Sequence, residues 1–374
     1  MKIGILTYHR SHNYGAVLQA YALKTFLSNQ GHDVEFIDYW PNYRKGMYDL
    51  ADFSFIKDKD LNFPQKIKRL IRLVLVYPGK KNRYKRFQKF IKHHLGIYGN
   101  AKFKTGEEIT GNYDSTIYGS DQIWRYNHFE TFEGFDPVYW GEFPKKNKSK
   151  KIAYAASMGI IENTTQNSIY LKTYLRNFNA ISVREKELQE LLQNFTDKTV
   201  AHVLDPVFLL SATQWLKFSS QNQKSKKKFI LFYHLNYSKE AIKLTNKIAR
   251  RNNYSVIEIR GGVTPFTNPF KYKQTLGPIE FINLIFNASF IVSTSFHGVA
   301  FSIIFRKKFF ALGLKNNSIR VTSLLEELRI PERYLDNLEN INFSGNINYD
   351  LVESLLNKKK ENSVRFLGYL KKTE

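Results

Sequence analysis

The chain has 374 residues, more than one compact core usually organises, so two domains are expected. Its 43% hydrophobic and 15% aromatic residues can fill such cores, which excludes a mostly disordered polypeptide. A formal net charge of +24 suggests an anionic partner (nucleic acid, an acidic membrane face or a phosphorylated small molecule), and the absence of cysteine excludes disulfides, thiolate metal sites and a thiol nucleophile.

In chain order, Ile3–Thr7 is a short apolar run that predicts a strand. Residues Gly15 to Gln30 carry apolar side chains at Val17, Leu18, Tyr21, Ala22, Phe26 and Leu27, the spacing of a helix. Gly31-His32-Asp33 then turns the chain into a second strand, Val34–Tyr39. This β–loop–α–β unit predicts a parallel sheet whose ligands sit at the carboxyl ends of strands. The loop Tyr8–Tyr14 therefore opens on the expected site.

Lys66–His94 holds eleven Lys and Arg plus two His, interleaved with apolar residues, and Pro78-Gly79 predicts a division into two helical pieces. The stretch belongs to a basic helical insertion, about 60–100. Either it rests on anionic lipid or it is an ordinary insertion with a solvated basic face. Further strands are expected at Tyr113–Gly119, Lys151–Ser157, Ala180–Val183 and Val203–Leu210, with a helix after Arg184-Glu185 through Leu192. Ser211–Lys228 reads as a polar linker between two domains, 1–212 and 226–350.

The pattern then restarts with strand Phe229–Leu235, helix Ser238–Asn252, strand Ser255–Ile259 and loop Gly261–Pro269. Helix Gly277–Asn287, strand Phe290–Thr294, helix Phe296–Phe305 and strand Phe309–Leu312 follow. A closing helix within 351–374 completes an α/β chain of two doubly wound domains facing a cleft. The N-terminal residues do not read as a secretion signal, and the run Leu70 to Tyr77 is far short of the ~20 residues of a membrane span.

Ser293-Thr294-Ser295-Phe296-His297-Gly298 sits where a buried strand feeds a helix, so backbone N–H groups are directed at the cleft. His297 suits proton transfer or contact with phosphate, although Ser295 as a helix cap beside an ordinary first-turn histidine fits the same residues. Arg184 could clamp a carboxylate or phosphate in two-pronged fashion; a surface ion pair with Glu185 is the plainer alternative. Asp121, after Gly119-Ser120, is a candidate base or sugar ligand. His9, His12, Asn13 and Tyr14, with Gly15, form a polar loop suited to hydroxylated ligands. No phosphate-loop, zinc-protease, nucleophile-elbow or kinase motif is present, and no metal cluster is expected.

Several of these segments occur in an order that resembles the polysaccharide pyruvyl transferase family. They are Asn13-Tyr14-Gly15-Ala16-Val17-Leu18-Gln19-Ala20, Tyr118-Gly119-Ser120-Asp121-Gln122-Ile123-Trp124, Ser182-Val183-Arg184-Glu185, Asp205-Pro206 and Ser295-Phe296-His297-Gly298. The resemblance implies a GT-B-like pair of Rossmann-like domains. It also implies transfer of the enolpyruvyl group of phosphoenolpyruvate onto two hydroxyls of a sugar in a surface or capsular glycan precursor, with no cofactor. On that reading His297 and Asp121 are catalytic, and Arg184, Ser295, Gly298, Asn13, Tyr14, Gly15, His9 and Ser120 bind substrate. The partners would be phosphoenolpyruvate and a sugar or lipid-linked oligosaccharide, in the cytoplasm or peripherally on the inner membrane face, with no nucleic acid. One departure stands out: many members carry Arg two residues before the histidine, where this chain has Ser295, so Arg184, Arg260 or Arg306 would supply the charge. A GT-B-like glycosyltransferase using a nucleotide sugar and a basic nucleic-acid-binding protein are the competing readings.

Overall fold

The computed structural model describes residues 1–143, 149–159, 168–217, 227–235, 238–263, 271–313, 319–337, 341, 343 and 345–370. Strand β1 (Lys2–Leu6) leads into helix α1 (Tyr14–Asn29) and returns as β2 (Asp33–Phe36), the unit expected from the apolar spacing. Helix α2 (Phe63–Phe90) precedes β3 (Ser115–Tyr118) and an antiparallel hairpin, β4 (Asn127–Phe129) and β5 (Phe132–Gly134). Then come β6 (Lys150–Ala156), α3 (Ser168–Leu175), β7 (Ala180–Val183), α4 (Lys186–Gln193), β8 (Val200–His202) and α5 (Ala212–Lys217).

The second run is β9 (Phe229–His234), α6 (Lys239–Asn252), β10 (Ser255–Arg260), β11 (Lys271–Tyr272) and α7 (Pro278–Asn287). It continues through β12 (Phe290–Ser293), α8 (Phe296–Ile304), β13 (Phe309–Ala311), α9 (Ile319–Glu327) and α10 (Tyr349–Leu367).

The strands build two parallel sheets, β2-β1-β3-β6-β7-β8 and β11-β10-β9-β12-β13. Their central strands are buried on both faces, as strands covered by helices on each side must be. The architecture is a pair of doubly wound, Rossmann-like sheets. Strand order reverses between β1 and β3 in one sheet and between β9 and β12 in the other, so the loops after these strands open on a crevice.

The two sheets share a buried joint. Tyr14 of α1 stacks on Phe281 of α7 with 4.4 Å between ring centres, and its hydroxyl donates to the Leu276 carbonyl at 2.9 Å. Trp215 of α5 meets Phe301 of α8 edge-on at 5.0 Å. Each such ring is worth about 1.5–3 kcal/mol of burial, so the joint is a core and not a wet hinge. Helix α10 crosses it: Tyr349 bonds the Lys307 carbonyl beside the second sheet, and Ser363 accepts from the Leu204 N–H at 2.9 Å beside the first.

Three expectations change. Val203–Leu210 is not a strand; β8 ends at His202 and Asp205 caps a short helical turn, Pro206–Leu209, by accepting from the Val207 N–H at 3.1 Å. The start of the expected linker is α5, held by the buried Trp215, whose Nε1 donates to the Val207 carbonyl; residues 218–226 of it lie outside the described residues. Pro78 does not divide Lys66–His94. Helix α2 runs through it, capped by a reciprocal Asn62–Gln65 pair at its start and pinned further on by buried Val76, Arg83, Phe87 and Phe90. Residues 144–148 and 264–270, which hold most of one lysine cluster and of the Gly261–Pro269 loop, are also outside the described residues.

Candidate active site

The ends of β3, β6 and β7 converge at one point. Gly119 (φ 123°) passes so close to β6 that a Cβ there would sit 2.2 Å from the Tyr154 carbonyl oxygen. Next to it, the Ser120 hydroxyl lies 3.0 Å from the Ala155 carbonyl and 3.3 Å from Asp205 Oδ2. Asp121 turns back in the left-handed region (φ 78°), which a short acidic side chain tolerates, and its Oδ1 accepts from the Gln122 N–H at 2.9 Å.

Arg184, one residue past β7, is the hub. Its Nη1 donates to Asp205 Oδ2 at 2.7 Å and its Nε to Glu185 Oε1 at 3.1 Å, while Nη2 stands 3.7 Å from Asp121 Oδ1. The side chain is 1% exposed, so the surface ion pair weighed from the sequence is not what forms. Burial disfavours its charge, but Glu185, Asp205 and Asp121 together outweigh that and hold the guanidinium more firmly protonated than usual. Asp205 shows the converse: burial alone would raise its carboxyl, yet His297, Arg184 and the Val207 N–H hold it well below the usual range. Arg184 Nη2 is buried without a hydrogen-bond partner.

The opposite wall comes from the second sheet. β12 feeds α8, and His297 in its first turn points Nε2 at Asp205 Oδ2 from 3.6 Å, too far for a hydrogen bond; that nitrogen is also buried and unpartnered. Gly15, near the start of α1, makes room for the ring, since a Cβ there would lie 2.0 Å from His297 Nδ1. Ser295 occupies the cap position of α8 without a side-chain cap bond. Burial pushes the phenol of the neighbouring Tyr233 up to about 12 against the lowering effect of a hydrogen bond to Ser295. Gly298 packs against β12, where a Cβ would meet Ser293 Oγ at 2.2 Å.

A residue the sequence reading passed over completes the wall. Arg320 of α9 lies 4.0 Å from Glu185 Oε1, and with the Gln122 amide oxygen turned toward it, donates at 3.0 and 3.3 Å. Burial and the adjacent Arg184 both disfavour its charge, so it is poorly compensated by its surroundings. No local motif marks it. Of the three positions suggested to stand in for the missing family arginine, Arg184 is in the cluster, whereas Arg260 pairs with Glu258 at 2.8 Å and Arg306 meets Asp350 and Glu353 at the surface.

Of the remaining candidates, Asn13 is the cap of α1, accepting from Gly15 and Ala16 N–H groups. Tyr14 is part of the inter-sheet joint, where Arg83 Nη1 also donates to its hydroxyl at 3.1 Å. His9 is fully buried away from the cluster, its ring nitrogens on the Thr7 carbonyl and on Asp38. Beside the crevice, a cavity of about 380 Å³ is lined by Trp40, Arg44, Tyr48, Tyr84 and Gln88 among others. His12 faces it, stacked on Tyr48 at 4.5 Å, and burial with the nearby Arg83 lowers its pKa to about 4. Among the described residues no group of His, Asp and Glu is arranged to hold a metal ion.

A wall of each sheet thus contributes to one buried, mixed-charge cluster in which Arg184 Nη2 and His297 Nε2 lack hydrogen-bond partners. The chain belongs to the polysaccharide pyruvyl transferase family, whose model matches residues 13–316. No curated protein matches the sequence. Among solved structures, UDP-GlcNAc 2-epimerase from Methanocaldococcus jannaschii is similar over 99% of this chain and 100% of its own, with 10% identity and a TM-score of 0.47. MnaA of S. aureus, solved with UDP, matches over 99% and 96% (13% identity, TM-score 0.46), and heptosyltransferase WaaC of E. coli over 83% and 88% (9% identity, TM-score 0.35).

Proposed function

We propose that this protein transfers the enolpyruvyl group of phosphoenolpyruvate onto two hydroxyls of a sugar in a surface or capsular glycan precursor, forming a cyclic pyruvate ketal. The observation that carries the reading is the pair of buried, unpartnered nitrogens, Arg184 Nη2 and His297 Nε2, in one Asp205-centred cluster between the sheets. Buried donors without partners are costly unless a ligand satisfies them. A small polyanion bearing carboxylate and phosphate answers both, with Arg320 as a third positive group.

The reaction conserves atoms simply. The methylene carbon takes a proton and becomes the ketal methyl; one sugar hydroxyl bonds the central carbon; the bond from that carbon to the phosphate oxygen breaks. The second hydroxyl then closes the ring. Of the two hydroxyl protons released, one balances the proton delivered to carbon and the other leaves with phosphate. His297 is the proton donor in this scheme, with Asp205 orienting Nε2. Asp121 is the base: it is the most exposed of the three carboxylates (16%) and the least tightly held by Arg184. The positive side chains do the electrostatic work, and no cofactor enters. The cavity lined by Trp40, Tyr48 and Tyr84 suits the acceptor sugar, since aromatic faces pack on apolar sugar faces.

The test is incubation with phosphoenolpyruvate and a panel of synthetic and lipid-linked glycosides, followed by mass spectrometry for the ketal and assay of released phosphate. Phosphoenolpyruvate should also raise the melting temperature, by mass action, at concentrations where a nucleoside diphosphate does not. Stabilisation by the nucleotide alone, with no ketal formed, would reject the reading.

A further inference from the structure

Helix α2 has two unlike halves. In the second, buried Arg83, Phe87 and Phe90 face the body, and Arg83 Nη2 donates to the Gly261 carbonyl at 2.9 Å. In the first, Phe63, Ile67, Leu70, Ile71, Val74 and Leu75 recur at the spacing of one helical stripe. At about 100° per residue this stripe lies diametrically opposite the side that carries Val76, Arg83 and Phe87, so it faces away from the protein. Phe63 is 75% exposed, Leu75 67% and Val74 64%. The exposed apolar surface continues onto Phe53 and Ile56, whose carbonyl accepts from Lys66 Nζ.

Lys66, Lys68, Arg69 and Arg72 occupy the rest of this half. One nearby acid, Asp58, stands 4.0 Å from Arg69, and no Asp or Glu occurs from residue 61 to 106.

We propose that this first half of α2 is a docking surface for an anionic lipid bilayer, its apolar stripe entering the headgroup boundary and its basic residues meeting lipid phosphates. The charge decides between occupants. A second copy seated stripe to stripe would bring Lys66, Lys68 and their flanking arginines toward the same residues of its mate, and with six Lys and Arg against three Asp over residues 52–72 an isologous pairing leaves like charge in excess. An anionic interface answers the apolar and the basic faces together. The stripe is held rigidly, because the helix is capped at Asn62 and continues unbroken into the anchored half.

Tyr84 and Gln88 of that anchored half line the cavity beside the crevice, roughly 15–21 Å along the helix from Val74 at 1.5 Å per residue. One helix therefore joins the lipid surface to the cavity. On the functional reading above, this makes the acceptor a membrane-borne, lipid-linked glycan.

The full-length protein is sedimented with phosphatidylcholine vesicles and with phosphatidylcholine/phosphatidylglycerol vesicles. It should bind the second far better, and lose binding as salt rises from about 0.05 to about 0.5 M. Ile71→Glu/Val74→Glu should weaken vesicle binding at least ~10-fold, with the melting temperature unchanged because both side chains are exposed. Lys239→Glu/Lys243→Glu on the exposed face of α6 removes more positive charge and should bind as wild type.

Equal binding to neutral vesicles, full binding by the stripe variant, or loss in the α6 control would overturn the proposal. So would a wild-type dimer that the stripe variant dissociates without any vesicle binding. With a water-soluble glycoside the stripe variant should turn over normally, and with a lipid-linked acceptor in vesicles it should slow. Vesicle binding without ketal formation on either acceptor would leave the docking surface standing and reject the catalytic reading.

Discussion

His9 and His297 both lie just after a buried parallel strand, and both face a carboxylate, yet their surroundings differ in kind. His9 is in a closed network. Nδ1 meets the Thr7 carbonyl at 2.9 Å and Nε2 meets Asp38 at 3.1 Å, Arg10 takes the same Asp38 with two nitrogens, and the Lys102 N–H adds a further bond. His297 stands 3.6 Å from Asp205 with Nε2 unpaired, beside an arginine that also has a nitrogen to spare. Residue type at a strand end does not separate these two. What separates them is whether the ring nitrogens are used: both nitrogens of His9 are hydrogen-bonded, whereas His297 Nε2 and the adjacent Arg184 Nη2 are not, which is the feature the proposed function rests on.

Arg184→Ala should give the largest effect, because it strands three carboxylates in a buried setting. Unfolding free energy should fall by about 3–5 kcal/mol, read by urea denaturation, and turnover should vanish. Unchanged stability would mean the cluster is wetter than its burial indicates. Arg184→Lys restores a charge without the planar fork, so the protein should regain part of the stability while remaining severely slowed.

His297→Ala should cut turnover by ~10²-fold or more if the histidine moves a proton, with a smaller fall in melting temperature than Arg184→Ala, since only ring packing and the Asp205 interaction are lost. Full turnover in this variant would erase the distinction from His9. Arg320→Gln should raise the KM for phosphoenolpyruvate by about tenfold with a smaller change in kcat, the signature of a lost contact to an anionic substrate.

The closed network gives the smallest effect on activity. Asp38→Asn should leave turnover within about twofold while costing about 1–2 kcal/mol of stability at neutral pH. The sign follows from Asp38 itself. Burial would raise its carboxyl, but Arg10 and His9 outweigh burial and hold it well below the usual range. Its stabilisation is therefore complete above the unfolded value near pH ~4 and is lost as pH falls toward the folded value. Melting temperatures measured from pH 7 to pH 3 should show the wild-type advantage over Asp38→Asn shrinking in the acid limb. An advantage that stays constant would show that the Asp38 charge is not what the network stabilises.

Much of the architecture was legible in the amino-acid order because it is written in short-range periodicity. Buried parallel strands appear as unbroken apolar runs such as Phe229–Tyr233, and α1 as apolar residues three and four apart after a capping Asn13. The strand-to-helix junctions at Gly119–Asp121, Arg184 and His297 were likewise visible, since a parallel sheet directs such junctions to one edge. Tertiary structure alone decided what those junctions meet. Asp205 and Arg184 are 21 positions apart and Ser120 and Asp205 are 85, so nothing in the local pattern could announce that they bond. The same limit hid Arg320, which reaches Glu185 from a helix of the other sheet, and misplaced His9, whose partner Asp38 is 29 positions away. It also governed α2: the Pro78-Gly79 pair signals a break locally, whereas the burial of Arg83, Phe87 and Phe90 and the cap at Asn62 carry the helix through it. Periodicity is set by neighbours a turn or a pleat apart, but a site is set by distances between residues that only the packed chain brings together.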